Sequence, residues 1–400
     1  MKNNLQSSIW VGALLLLSCG RVAEVEEHGA VALFGSHSVV CAQSESGEVK
    51  CWGMNVPEYY PISDVGWVVG DNEALTQLNT LETGGLLLQL EVSAIDGGAA
   101  CMRLEGERLR CWGNDSDSEM GSGADLLPNG EVVTLAQSEA IFVDGLSAVS
   151  LGWSHACILV RGDVFCWGTD LGTGGSVSFE AAMEHAANGE QAVEIGEEVV
   201  EVGAGGGHSC VRTTNGSVYC WGLTIDTGHS DPNLGFTVGD DETPQEAGPL
   251  PLGAPARGLS VTGAHTCALL ETGTAVCWGD GITVEAAEEV AVASPFAQVV
   301  AGGSYTCAVT TEGELHCWGQ GLNGALGTGD LDAVPASAPA HIELDELIVD
   351  VVPLGSATCV RSETGKVKCW GRRGILGQPT DEDLGDDEPV SEIPWLNLGF

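Results

Sequence analysis

The sequence predicts an all-β fold made of seven repeated antiparallel units, and three observations predict it. Fourteen of the fifteen cysteines fall into local couples: Cys41 with Cys51, Cys101 with Cys111, Cys157 with Cys166, Cys210 with Cys220, Cys267 with Cys277, Cys307 with Cys317, and Cys359 with Cys369. The second cysteine of every couple opens the tripeptide Cys-Trp-Gly, which takes seven of the eleven tryptophans. Glycine supplies 57 of 400 residues, about twice its usual share, so the chain is rich in turns and poor in long helices.

Each couple reads as a hairpin. Six couples are ten residues apart and one is nine, and each encloses a Gly flanked by short apolar or β-branched stretches. If Cys267 faces Cys277, then Leu270 faces Thr274 and the loop is Glu271-Thr272-Gly273, with Gly at the left-handed position such a loop needs. In the nine-residue couple Val160 faces Asp163 and only Arg161-Gly162 remain between them. The loop shortens by one residue and the cysteines still face each other.

That compensation makes sulfur-to-sulfur contact across the strands the retained feature. Opposed strand residues come within disulfide reach at the closer, non-hydrogen-bonded pairs, so the cysteines are expected there. Zinc is the rival, because His155, His208 and His265 each stand two residues before a paired cysteine. Zinc sites favour cysteines two to four residues apart, however, and the other four units have no His at that position. The three histidines are expected to be hydrogen-bonded where units meet.

The repeat extends beyond the hairpin. Its fullest copy runs Val300-Ala-Gly-Gly-Ser-Tyr-Thr-Cys307, continues to Cys317-Trp-Gly, and ends with Gly324-Ala-Leu-Gly327. This resembles the repeat of the regulator of chromosome condensation family, over about residues 30 to 400. Trp-Asp propellers do not fit, since Gly follows every repeat Trp, and the Trp and Tyr spacing matches kelch repeats poorly. The Gly-x-Leu-Gly tail is clear only at Gly324–Gly327 and Gly374–Gly377. The resemblance implies a seven-bladed β-propeller over residues 31–400, with one disulfide hairpin in each blade. A blade with two apolar faces cannot stand alone, and a ring of seven buries face against face. The repeat Trp rings are expected between blades, each indole N–H on a backbone carbonyl. The apolar segment Glu392–Leu398 is expected to pair into the first blade as a closing strand.

The N-terminus sets the compartment. Ile9 to Leu17 is a nine-residue apolar run, too short to cross a bilayer, where about 20 residues are needed, and suited to a signal peptide over residues 1–18. Leu16-Leu17-Ser18-Cys19-Gly20 resembles the bacterial lipoprotein signal, which implies acylation of Cys19 and an exported protein on the cell envelope. Gly20, with no Asp after the cysteine, points by the same analogy to the outer membrane. Residues 19–30 then form an acidic tether, at most about 35 to 40 Å long when extended. The membrane is reached through the lipid alone.

Composition narrows the function. Asp plus Glu is 57 against 14 for Lys plus Arg, a formal net charge of −43, so the field repels phosphate backbones and excludes nucleic acid as a partner. Charged residues are only 18% and apolar ones 44%, a globular ratio. No catalytic motif stands out, and neither enzymatic activity nor a cofactor is expected. The acidic runs Gly239–Pro244, Asp330–Asp332 and Asp381–Glu388 are read as solvated turns, with Ca²⁺ as the alternative.

One insertion, Glu58–Trp67, concentrates aromatics in a chain that has few, and Tyr59, Tyr60 and Trp67 are its candidate binding anchors. The expected function is a non-enzymatic, monomeric protein-binding propeller displayed as an envelope lipoprotein. The protein ligand is unknown. The alternatives are an inhibitor of a secreted enzyme, guanine-nucleotide exchange-type activity by family analogy, and a polysaccharide-active enzyme.

Overall fold

Every cysteine couple marks one meandering antiparallel sheet in the computed structural model, which describes residues 29–36, 39–54, 68–69, 74–92, 99–113, 135, 138–168, 177–263, 265–280 and 283–400. Blade 1 holds β1 (Ala30–Ser36), β2 (Val39–Ser44), β3 (Val49–Met54) and β4 (Val68–Val69). Blade 2 holds β5 (Leu87–Val92), β6 (Ala99–Leu104), β7 (Arg108–Gly113) and β8 (Ile141–Phe142). Blade 3 holds β9 (Leu146–Leu151), β10 (His155–Val160) and β11 (Asp163–Gly168). Blade 4 holds β12 (Val199–Ala204), β13 (His208–Thr213), β14 (Val218–Leu223) and β15 (Thr237–Val238). Blade 5 holds β16 (Ala256–Val261), β17 (His265–Leu270), β18 (Ala275–Gly279) and β19 (Glu289–Val290). Blade 6 holds β20 (Phe296–Ala301), β21 (Tyr305–Thr310), β22 (Leu315–Gly319) and β23 (Ala340–Ile342). Blade 7 holds β24 (Ile348–Pro353), β25 (Ala357–Ser362) and β26 (Val367–Gly371). Chain order is spatial order within each sheet, and the ring closes where β1 meets β24. In blades 3 and 7 a single bridge, Gly168 to Val177 and Gly371 to Leu384, stands in for the fourth strand.

The hairpin arithmetic holds. Every couple is a disulfide within its own blade: Cys41 to Cys51, Cys101 to Cys111, Cys157 to Cys166, Cys210 to Cys220, Cys267 to Cys277, Cys307 to Cys317, and Cys359 to Cys369. All seven are directly opposed, with Cα atoms 4.0 to 4.1 Å apart, the spacing of the close, non-hydrogen-bonded pair. Leu270 N–H donates to Thr274 O at 2.9 Å around the three-residue loop, whose Gly273 has φ 83°. In the short couple Val160 faces Asp163, and Arg161 and Gly162 take φ 54° and 87°, the two positive angles of a type I′ turn.

Cys-Trp-Gly is the unit of blade packing. Successive strand residues point to opposite faces, so the disulfide of a blade looks one way around the ring and its indole the other. Each repeat Trp therefore packs in one cluster with cysteines of the preceding blade. Trp112 lies with Cys41 and Cys51, Trp167 with Cys101 and Cys111, Trp221 with Cys157 and Cys166, and Trp278 with Cys210 and Cys220. Around the closure, Trp52 lies with Cys359 and Cys369. The following Gly turns the chain with φ of 103° to 120° in the six blades other than blade 2. At Gly222 a Cβ would lie 2.3 Å from Gly207 O, which excludes every other residue there.

The indole N–H expectation holds only where a carbonyl is supplied. Trp370 Nε1 donates to Ala325 O at 3.1 Å, in the Gly324–Gly327 turn of the blade before it. Nε1 of Trp52, Trp112, Trp221 and Trp278 is buried without a partner. At Trp52 the equivalent turn sets Gly377 against the ring, and Nε1 finds no acceptor there.

The histidines form a ladder between blades. His155 Nε2 meets Ser209 Oγ at 2.7 Å, His208 Nε2 meets Thr266 Oγ1 at 2.8 Å, and His265 Nε2 meets Thr306 Oγ1 at 3.2 Å. Tyr305 takes the same place in blade 6, its hydroxyl 2.9 Å from Thr358 Oγ1. Each partner immediately precedes the first cysteine of the next blade, so the ladder ties blades 3 to 7 in sequence. Burial holds the three imidazoles neutral, with pKa values down to about 4, 3 and 4.

Closure differs from the expected strand. Residues 393–400 form no strand: Pro394 lacks a donor, and the one backbone bond of the segment to a strand runs from Leu396 N–H to Val367 O in blade 7. Two buried lysines hold the segment instead. Lys50 of blade 1 donates to Leu398 O at 2.7 Å and lies 5.5 Å from the Phe400 ring centre; Lys368 of blade 7 donates to Val390 O at 3.2 Å and lies 4.7 Å from Trp395. Ile393 and Leu398 fill the cores on either side of blade 7. The signal peptide, Cys19, residues 19–28 of the tether, and Tyr59, Tyr60 and Trp67 lie outside the described residues. Among the described residues, no helix is long and apolar enough to cross a membrane.

Candidate functional site

In a meandering blade, the connections from first to second and from third to fourth strand open on the same face. On that face the first-to-second connections are built from glycine: Gly152, Gly205–Gly207, Gly263, Gly302–Gly303 and Gly355. They bond to one another around the axis, Trp153 N–H to Gly205 O at 3.1 Å and Gly206 N–H to Gly263 O at 2.7 Å. A cavity of about 540 Å³ opens at their centre, walled by the innermost strands.

An apolar strip leads outward from this mouth. Trp153, 44% exposed, lays its indole across Gly206 and Gly263, where an added Cβ would come within 3.0 and 2.8 Å of the ring. Leu223 covers Gly207 in the same way, at 2.5 Å. Ile225 and Phe236 continue on the loop between β14 and β15, and Phe236 is 94% exposed. Local sequence fixes that loop. Thr224–Thr227 makes one helical turn that ends at Gly228 (φ 83°), Asp231 caps the 3₁₀ turn Pro232–Leu234, and Thr224 N–H bonds Phe236 O at 3.0 Å. Large exposed apolar side chains gathered on one loop system mark an interaction surface. Acidic groups flank it: Asp231, Asp280 and Glu285, with the pKa of the buried Asp226 carboxyl raised by desolvation.

The channel wall is polar in part. Gln89 bridges blades 2 and 3 through Val149, donating to its carbonyl at 2.7 Å and accepting from its N–H at 3.2 Å. Gln89 also donates to Glu91, whose carboxyl desolvation raises to about 7. Glu201 and Asp350 are held by Arg212 and Arg361 at 2.7 and 3.2 Å. These groups, bonded within the ring, and the ladder histidines, each bonded through Nε2, brace the blades. The arrangement presents a surface suited to binding.

The acidic runs divide. Carboxylates of Asp240, Asp241 and Glu242 gather within 4.8 Å, as do those of Asp386, Asp387 and Glu388. Asp330 instead closes its own turn, accepting from Thr328 Oγ1 at 3.0 Å and Asp332 N–H at 3.1 Å. Sequence reasoning missed Trp153, Leu223, Ile225 and Phe236. The available signal was a large apolar residue beside the glycines of a repeat connection, as in Gly152-Trp153.

A regulator of chromosome condensation (RCC1) repeat model matches residues 199–223 and 296–325, the opening strands of blades 4 and 6. No curated protein matches the chain by sequence. Among solved structures the fold is similar to human WBSCR16, at TM-score 0.62 and 19% identity, covering 89% of this chain and 94% of that one. It is similar to Prp20p from Saccharomyces cerevisiae, at 0.60 and 18%, covering 82% and 80%. A further similarity is to yeast RCC1 (Prp20) in its complex with Kap60, at 0.60 and 14%, covering 96% and 91%. The chain is a seven-bladed propeller in which two stretches match the regulator of chromosome condensation repeat.

Proposed function

We propose that the protein is a non-enzymatic binding module of the bacterial envelope, tethered through Cys19, which captures a protein partner on the glycine-mouthed face. The observation that carries this reading is the strip Trp153–Leu223–Ile225–Phe236, with a fully exposed phenylalanine at its end. The structures of similar fold are reported with protein partners: Prp20p with binding to Gsp1p and histones, and yeast RCC1 (Prp20) bound to Kap60. The net charge of −43 selects a cationic partner and speeds its approach. Seven disulfides fit an oxidising compartment, which supports export.

The test is crosslinking in intact cells followed by pull-down. The partner crosslinked by the natural chain is expected to be lost from an Ile225→Ala/Phe236→Ala double variant with unchanged melting. Equal recovery from both proteins refutes the reading.

A further inference from the structure

The residue just before the second cysteine of each couple shares a strand face with the repeat Trp, two positions on. Five of these seven residues are polar, and four of the five reach a protein group. Lys50 and Lys368 capture carbonyls of the C-terminal segment, Arg110 donates to Leu135 O, and Tyr219 donates to Glu197 Oε1 at 3.4 Å. The fifth is His316. It is only 8% exposed, and both its ring nitrogens are buried without a hydrogen bond. A buried imidazole with neither nitrogen satisfied carries a desolvation cost that a ligand would remove.

Two further donors stand beside it, with the ligand atoms of the three residues not yet all within 4.8 Å of one another. His341 of β23 is its directly opposed cross-strand neighbour, with ring centroids 5.2 Å apart. Glu314, two residues earlier on the same face, brings Oε2 to 3.9 Å from His316 Nε2. A tetrahedral ion bound at about 2.0 Å by one nitrogen of each ring sets the two centroids about 5 Å apart, the spacing seen here. His341 is exposed and has no side-chain partner but the His316 ring, and Glu314 lies at the solvent edge, so both side chains are free to turn toward a shared ion. A cleft of about 460 Å³ lined by Glu314 and His341 gives access.

We propose that His316, His341 and Glu314 form a site for a divalent transition-metal ion of the zinc class, at the outer edge of blade 6, with water completing the coordination. This departs from the expectation of a metal-free protein. Two imidazoles and one carboxylate are a donor set that zinc accepts, whereas calcium prefers oxygen alone.

The experiment is calorimetric titration of the chelator-treated full chain with Zn²⁺. One site of micromolar or tighter affinity is expected, weakened at least tenfold by His341→Ala and by Glu314→Gln in part, with Ca²⁺ giving no heat at that site. His341 is exposed, so its variant folds even if His316→Ala does not. A titration without a stoichiometric site, or the same affinity in His341→Ala, overturns the proposal.

Discussion

Acid should weaken this ring through its histidine ladder. In the unfolded chain an imidazole takes its proton near pH 6.5, whereas His155, His208 and His265 hold theirs off until about 4, 3 and 4. Between those limits the unfolded state binds more protons, so stability falls as pH falls, by about 1.4 kcal/mol per pH unit per histidine. Three together give a slope of about 4 kcal/mol per pH unit from pH 6 to 4. Glu91 acts in the opposite sense. Its folded pKa of about 7 exceeds the unfolded value, so it adds stability as pH drops from 7 to 4.5 and offsets about one histidine. Protonation of other carboxylates also relieves repulsion in a chain of charge −43.

The decisive comparison therefore subtracts everything the two proteins share. Guanidinium unfolding at pH 7.5, 6, 5 and 4.5 is measured for the natural chain and for a His155→Gln/His208→Gln/His265→Gln variant, whose ladder does not titrate. The natural chain should lose several kcal/mol more than the variant between pH 6.5 and 4.5. Equal slopes would refute the burial argument.

Two other expectations test the ring itself. Removing residues 391–400 takes Ile393, Leu396 and Leu398 out of the cores they fill, and takes the Leu398 carbonyl from Lys50 and the Trp395 ring from Lys368; roughly 5 kcal/mol should be lost, seen by calorimetry as a much lower melting temperature. Gly222→Ala puts a side chain at φ 103° and drives its Cβ into Gly207 O, so a loss of at least about 2 kcal/mol is expected in chemical denaturation. An unchanged midpoint would mean that the strand end relaxes freely.

What could be read from the sequence was the short-range part. A cysteine couple nine or ten residues apart with a Gly between them fixes its own register, and the one-residue deletion at Arg161-Gly162 identified the sulfur contact as the fixed quantity. Seven phased copies then implied the ring. The closing segment was misread because its apolar residues mimic the start of a blade, while the features that decide its conformation lie elsewhere. These are Lys50, nearly 350 residues earlier in the chain, and Lys368, both buried and aimed at its carbonyls. Trp153 and Phe236 were overlooked for a similar reason. Each is a lone residue in its own stretch of sequence, and only the bonding of glycine connections around the axis makes them ends of one strip.

The two arcs of the ring are consequently held by different chemistry. From blade 3 to blade 7 each interface has a hydroxyl donated or accepted by His155, His208, His265 or Tyr305, placed by the residue two before the first cysteine. Blades 7, 1 and 2 carry Ala357, Val39 and Ala99 at that position, which offer no side-chain donor. There the C-terminal segment and two buried ammonium groups secure the boundary between blades 7 and 1. Acid acts on the first arc and truncation on the second, so a variant lacking residues 391–400 should keep the histidine-dependent pH slope undiminished while starting from a lower stability. A slope that vanished with the truncation would show that the arcs do not act independently.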